Sequence, residues 1–132
     1  MNHFLKKIIN GSGVTPPDGC LISFKANFAD AINVEWLRRD DYYEVTFYRN
    51  NLEYIALFNT DGSLLEYRQN LPLDLMPESI KNIALSKGEI MNSVLKNKGN
   101  KLEYELILRD QLLNRTLVVL SEIGDIVEDK KL

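Results

Sequence analysis

With 132 residues, 45% of them hydrophobic, the chain suits one compact unit or two very small ones and is too apolar to be disordered. A net charge of −3, with no Lys/Arg cluster interleaved with aromatics beyond the short Arg38-Arg39 pair, argues against a nucleic-acid partner. The single cysteine, Cys20, excludes an intrachain disulfide scaffold, and no apolar run is long enough to span a membrane.

Residues 1–14 read as an N-terminal extension. Lys6 and Lys7 are followed only by Ile8 and Ile9, which is not the apolar core of a signal peptide. The segment 1–9 forms a short amphipathic helix or stays frayed, and the chain as given shows no export signal. Asn10-Gly11-Ser12-Gly13 is a flexible connector. Thr15-Pro16-Pro17-Asp18 then sets a helix start. Leu21, Phe24, Phe28, Ala31 and Ile32 recur at three- and four-residue steps, which predicts a helix with one buried stripe ending at Asn33. Cys20 reads as a small buried hydrophobe beside Leu21 and Ile22.

Four strands are expected next. Val34 to Leu37 is the first, with Val34 and Trp36 sharing a face and Trp36 directed to the core. It ends at the charged turn Arg38-Arg39-Asp40-Asp41. In the second, Tyr43, Val45 and Phe47 alternate with Glu44 and Thr46, the period-two pattern of a strand that buries one face. Asn50-Asn51 suits a primed two-residue turn, because Asn tolerates positive φ. The return strand, Leu52 to Phe58, then sets Phe47 opposite Tyr54, Val45 opposite Ala56 and Tyr43 opposite Phe58. The turn through Asp61-Gly62 leads to a fourth strand from Leu64 to Tyr67. The opposite face of the central hairpin carries Tyr42, Tyr48, Ile55 and Leu57 beside Glu44, Thr46 and Glu53. That is more apolar than a solvated sheet face should be. Either another layer covers it, or it is a contact surface.

The order then recurs. Pro77 and Glu78 open a second helix with Ile80, Ile83, Ala84 and Leu85 as its stripe and Gly88 as its C-terminal cap. Strands follow at Ile90–Leu95, Leu102–Leu108, Leu112–Leu120 and Asp125–Glu128. Tyr104-Glu105 answers Tyr43-Glu44, and Gly124 answers Gly62. These spacings predict an α+β fold of two tandem repeats, residues 15–72 and 73–132, each one helix on a four-stranded antiparallel meander, together forming one compact unit.

Phe24-x-x-x-Phe28-x-x-Ala31-x-x-Val34-x-Trp36, followed by Tyr42-Tyr43-x-Val45-x-Phe47, Asp61-Gly62 and Leu71-Pro72 before the second helix, resembles the PepSY-like family. These are small, largely uncharacterised proteins, mostly from Bacteroidetes, with a β-lactamase-inhibitor-like fold. The resemblance spans roughly Pro16 to Asp129. It implies tandem α+β repeats, an exported, periplasmic location, and protein contact through the sheet face. The paired cysteines of the true inhibitor are missing here, so inhibition itself does not carry over.

Catalysis needs clustered groups in definite roles. The only histidine is His3, no His/Cys/Asp set has metal-ligand spacing, and Gly11-Ser12-Gly13 precedes no Lys-Ser/Thr pair. Asp40-Asp41 reads as a solvated turn, and Asp61-Gly62 as a hairpin turn. The sequence therefore points to a non-catalytic protein without cofactor or metal. Its expected role is that of a protein-binding or inhibitor-like module acting through Tyr42, Tyr48, Ile55 and Leu57. Two other readings stand beside it: a self-associating protein that uses this face as a homodimer interface, and a small-ligand carrier with a polar-lined pocket between the repeats.

Overall fold

Asn50 and Asn51 take φ of 54° and 65° and turn the chain between two strands whose register sets Phe47 opposite Tyr54, Val45 opposite Ala56 and Tyr43 opposite Phe58. This hairpin belongs to a computed structural model that describes residues 14–132. The expected extension up to Gly13, including His3 and the Gly-Ser connector, lies outside the described residues. The elements run α1 (Asp18–Asn27), β1 (Ile32–Arg38), β2 (Tyr42–Arg49), β3 (Leu52–Asn59), β4 (Leu64–Asn70), a 3-10 turn (Leu73–Leu75), α2 (Glu78–Lys87), β5 (Glu89–Lys98), β6 (Lys101–Arg109), β7 (Arg115–Ser121) and β8 (Ile126–Lys131).

The expectation of two tandem helix-plus-four-strand repeats is corrected by the strand order. All eight strands follow one another in a single hydrogen-bonded sheet, β1-β2-β3-β4-β5-β6-β7-β8. The fold is one antiparallel meander carrying two helices. Backbone chemistry gives the reason. A fourth strand that ended a repeat would leave a row of unpaired N–H and C=O groups, and pairing it onward removes that edge. No residue pattern announces such continuity.

Contacts gather into two units, Met1–Tyr67 and Arg68–Leu132. The first has an aromatic core: Cys20, Phe24 and Phe28 meet Trp36, Tyr43, Val45, Phe47, Tyr54, Ala56 and Phe58. Phe24 stands edge-on to Trp36 at 5.5 Å and to Phe47 at 5.1 Å, and Phe47 stacks on Tyr54 at 5.2 Å. Such pairs add roughly 0.5–1.5 kcal/mol each beyond the area they bury. The second core is mostly aliphatic, with Ile80 and Ala84 of α2 on Leu106, Leu108, Val118 and Leu120.

Each helix docks on a turn closed by a glycine at positive φ. Gly62 (φ 96°) closes the β3–β4 turn, and its Cα hydrogens face the backbone of Gly19 in α1. Gly124 (φ 95°) closes the β7–β8 turn under Ile83 of α2. Cys20, fully buried, donates its S–H to the Asn59 carbonyl at 3.3 Å, which ties α1 to the same turn as Gly62.

Several boundaries differ from the expectation, among them β5, which runs on to Lys98, and β8, which runs on to Lys131. Helix α1 stops at Asn27, five residues short of Ile32, so Ala31 is only half-buried and Ile32 is 59% exposed at the start of β1. Asn33 does not cap a helix. It sits at φ 55° in a β-bulge, where Ile32 pairs with Tyr48 and Glu35 already pairs with Thr46. Trp36 is buried, but Val34, within that bulged stretch, stays exposed. Strand β7 starts at Arg115, not Leu112. The Asp110 carboxylate accepts the N–H groups of Leu112 and Asn114, both at 2.9 Å, and thereby holds both leucines in the turn.

Candidate functional site

The two faces of the first unit's sheet differ completely. On the helix side every residue from Tyr43 to Phe47 and from Tyr54 to Phe58 that points inward is buried. On the other side no residue is: Glu35, Leu37, Tyr42, Glu44, Thr46, Tyr48, Glu53, Ile55 and Leu57 are all half-buried or exposed. Alternation places them there, and the ladder aligns them in cross-strand rows. Glu35, Thr46 and Ile55 form one row, and Leu37, Glu44 and Leu57 the next. Arg39, Tyr42 and Asn59 lie at one end, with Tyr48 and Glu53 at the other.

The structure thus puts all of Tyr42, Tyr48, Ile55 and Leu57 on one open face. Ile55 and Leu57 form its middle, with Tyr42 and Tyr48 on opposite flanks. Leu37 completes the apolar centre. The sequence reading of this face did not include it, although a core Trp36 and strict alternation place Leu37 on the opposite side. Polar groups are fixed around the centre. Glu44, between Leu37 and Leu57, accepts from the Arg39 guanidinium at 3.2 and 3.4 Å. The Tyr48 hydroxyl, on a residue 40% exposed, donates to Glu53 at 3.1 Å. That hydrogen bond raises the Tyr48 pKa above its ordinary value. It also holds the ring in one position, which lowers the entropy lost when the ring is covered.

The open face of the second unit is built differently. Val94, Glu105 and Val119 form one row across β5, β6 and β7, and Asn92, Ile107 and Leu117 the next, with Val119 buried. Charges surround them. Glu105 receives Arg68 at 3.1 Å and Lys96 at 3.6 Å, and Arg109 pairs with Glu89 at 2.9 Å. Lys98 lies directly opposite Lys101, and Arg109 directly opposite Arg115. Beside the end of α2 is an open cleft of about 470 Å³, lined by Leu85, Lys87, Gly88, Glu89, Arg109 and Asp110. Its best-placed charges, Arg109 and Glu89, are already turned to each other.

Among the described residues no group of three or more His, Cys, Asp or Glu side chains is placed to hold a metal ion, and no helix is long and apolar enough to cross a membrane.

No protein-family model and no curated protein matches the sequence. Solved structures do. A DUF2874 family protein from Bacteroides ovatus superposes with a TM-score of 0.80 at 18% identity, over 90% of this chain and 89% of that one. A BLIP-like protein from Bacteroides fragilis gives 0.79 at 14% identity, over 90% and 88%. A candidate periplasmic protein from Bacteroides eggerthii gives 0.78 at 16% identity, over 89% and 90%. The chain has the BLIP-like fold. At these identities the likeness is one of architecture, and function has to be argued from the site.

Proposed function

We propose that this protein is a non-catalytic recognition module that binds a protein surface through the open face of its first unit. One observation carries the reading. Tyr42, Tyr48, Ile55 and Leu57 are gathered with Leu37 on a sheet face that the unit's own helix leaves uncovered. Aromatic and aliphatic side chains on a rigid sheet bury large areas at low rotamer cost, as protein-binding hot spots do. The face offers no nucleophile–base pair, and its carboxylates are engaged by Arg39 and Tyr48 or stand apart, which supports binding over catalysis. The likeness to a candidate periplasmic protein supports an exported location, and the residues around Phe24, Trp36 and Phe47 support a place among PepSY-like proteins.

A benzophenone side chain at position 48, with a control at the exposed Ile22 of α1, tests the reading in the native extract. Position 48 should give a discrete protein adduct that excess natural chain suppresses and excess Tyr48→Ala/Ile55→Ala chain does not. Equal labelling from both positions, or suppression by both competitors, would overturn it.

A further inference from the structure

Among the described residues the sheet ends at two free edges, β1 and β8. A free edge carries a row of unpaired backbone groups, which proteins blunt with charge, proline or a bulge. β8 is blunted along its length. All of its residues are exposed, and Glu128, Asp129, Lys130 and Lys131 follow one another on it. Two copies of β8 laid antiparallel about an axis at any of these four would set like charges face to face there.

The second half of β1 has no such protection. Its bulge lies between Ile32 and Glu35 and leaves the pairing from Glu35 to Arg38 regular. The Arg39 N–H donates to the Tyr42 carbonyl at 2.9 Å, which fixes the phase of the ladder. Alternation then turns the N–H and C=O groups of Glu35 and Leu37 toward β2, and those of Trp36 and Arg38 outward.

The side chains of this stretch complement their own reverse about Leu37. An antiparallel copy centred there sets Leu37 opposite the partner's Leu37, Trp36 opposite the partner's Arg38, and Glu35 opposite the partner's Arg39. Glu35 has no ion pair among the described residues. Arg39 reaches Glu44 through Nε and Nη2, at 3.4 and 3.2 Å, and keeps Nη1 for a second carboxylate. Glu35 and Arg39 both stand on the open face, Arg39 beside Glu44, so each can reach its counterpart. Other centres fit worse. An axis at Glu35 or Arg38 opposes like charges, and one at Trp36 sets Glu35 against the partner's Leu37 and Arg38 against the partner's bulged Val34.

We propose that two copies of this chain join through their β1 edges, antiparallel and centred on Leu37. Trp36 and the partner's Arg38 then exchange both N–H···O=C bonds, as do Arg38 and the partner's Trp36, and the close pair at the axis is leucine on leucine. The contact is short, well below the roughly 800 Å² per partner of a stable complex, so the pair dissociates at roughly 10–100 µM. This association goes beyond the recognition role and does not depend on it, since it uses the edge of the sheet and not its face.

Sedimentation of the full chain, with Glu35→Arg and Arg39→Glu as charge reversals, tests the register. Both positions lie outside the core, and circular dichroism checks each fold. The natural chain should dimerise at tens to hundreds of micromolar. Each reversed chain alone, with like charges across the axis, should need about tenfold or more higher concentration. Their equimolar mixture, in which every such pair is complementary again, should recover dimers near natural strength. Amide exchange in the natural chain needs no substitution. The Trp36 and Arg38 N–H groups should slow as concentration rises, while the Leu37 N–H stays slow throughout. A natural chain monomeric to about 1 mM, a dimer that neither reversal weakens, a mixture that fails to recover, or exchange at Trp36 and Arg38 that ignores concentration would overturn the proposal.

Discussion

Gly62 and Gly124 share a backbone conformation, φ 96° and 95°, in turns with the same hydrogen bonds, so a methyl group at each isolates the effect of the neighbour. For either, alanine in the left-handed region costs roughly 1–2 kcal/mol. The surroundings then diverge. A Cβ at Gly62 would lie 2.7 Å from the Gly19 carbonyl oxygen and 3.3 Å from its Cα, and these are backbone atoms of α1. They yield only if the helix shifts, and forcing an extra methylene into such packing costs about 1–3 kcal/mol more. A Cβ at Gly124 would lie 2.5 Å from Ile83 Cδ1, the end of a half-buried side chain that turns away for about 1 kcal/mol or less. Gly62→Ala should therefore destabilise by about 2–5 kcal/mol, and Gly124→Ala by about 1–3 kcal/mol. Urea unfolding followed by circular dichroism measures both. Trp36, the only tryptophan, reports on the first unit separately by its fluorescence. Equal losses for the two variants would show that the approach of α1 to the β3–β4 turn is not as tight as described.

Trp36→Ala should cost about 3–5 kcal/mol in thermal unfolding, because the ring is buried against Phe24 and Phe58; a loss below about 1 kcal/mol would place it outside the core. Burial pushes the Cys20 thiol pKa up, so alkylation at mildly alkaline pH should proceed only as fast as the first unit opens; labelling at the rate of a free thiol would refute its burial. Asp110 is held below the usual carboxylate range, first by the Asn114 backbone N–H, with the Asn114 side chain and the Leu112 N–H adding to it. Its stabilising effect is thus present above the unfolded-state value near pH 4 and is lost as pH falls through the lower folded value. Asp110→Asn should flatten the acid limb of the unfolding midpoint against pH, and an unchanged acid limb would refute the assignment.

Much of the central hairpin was readable from residues alone. Asn50-Asn51 specifies its own turn because asparagine tolerates positive φ, and once the turn is fixed the register and both faces follow by alternation. That is why Tyr42, Tyr48, Ile55 and Leu57 could be placed together. What failed depended on backbone choices that carry no periodicity. Ala31 and Ile32 continue a helical spacing, yet Phe28 leaves the helix at φ −135° and the chain turns through Ala29 and Asp30, with Asp30 held by Arg49 at 3.1 Å. Leu112 and Leu113 look like strand residues, but Leu112 is 82% exposed and Leu113 takes φ 66°, the left-handed position that glycine fills at Gly62 and Gly124. The joining of β4 to β5 left no trace, since a ladder partner is chosen by backbone groups that every residue shares.

Competition by the Tyr48→Ala/Ile55→Ala chain for the adduct at position 48, measured beside its own unfolding curve, bears most directly on the role of the open face. Both residues are partly exposed, so stability should fall by only about 1–2 kcal/mol, well short of a core truncation. In excess this chain should nevertheless fail to suppress the benzophenone adduct formed at position 48 of the otherwise natural chain. An altered chain that suppresses the adduct as strongly as the natural one would show that this face recognises nothing.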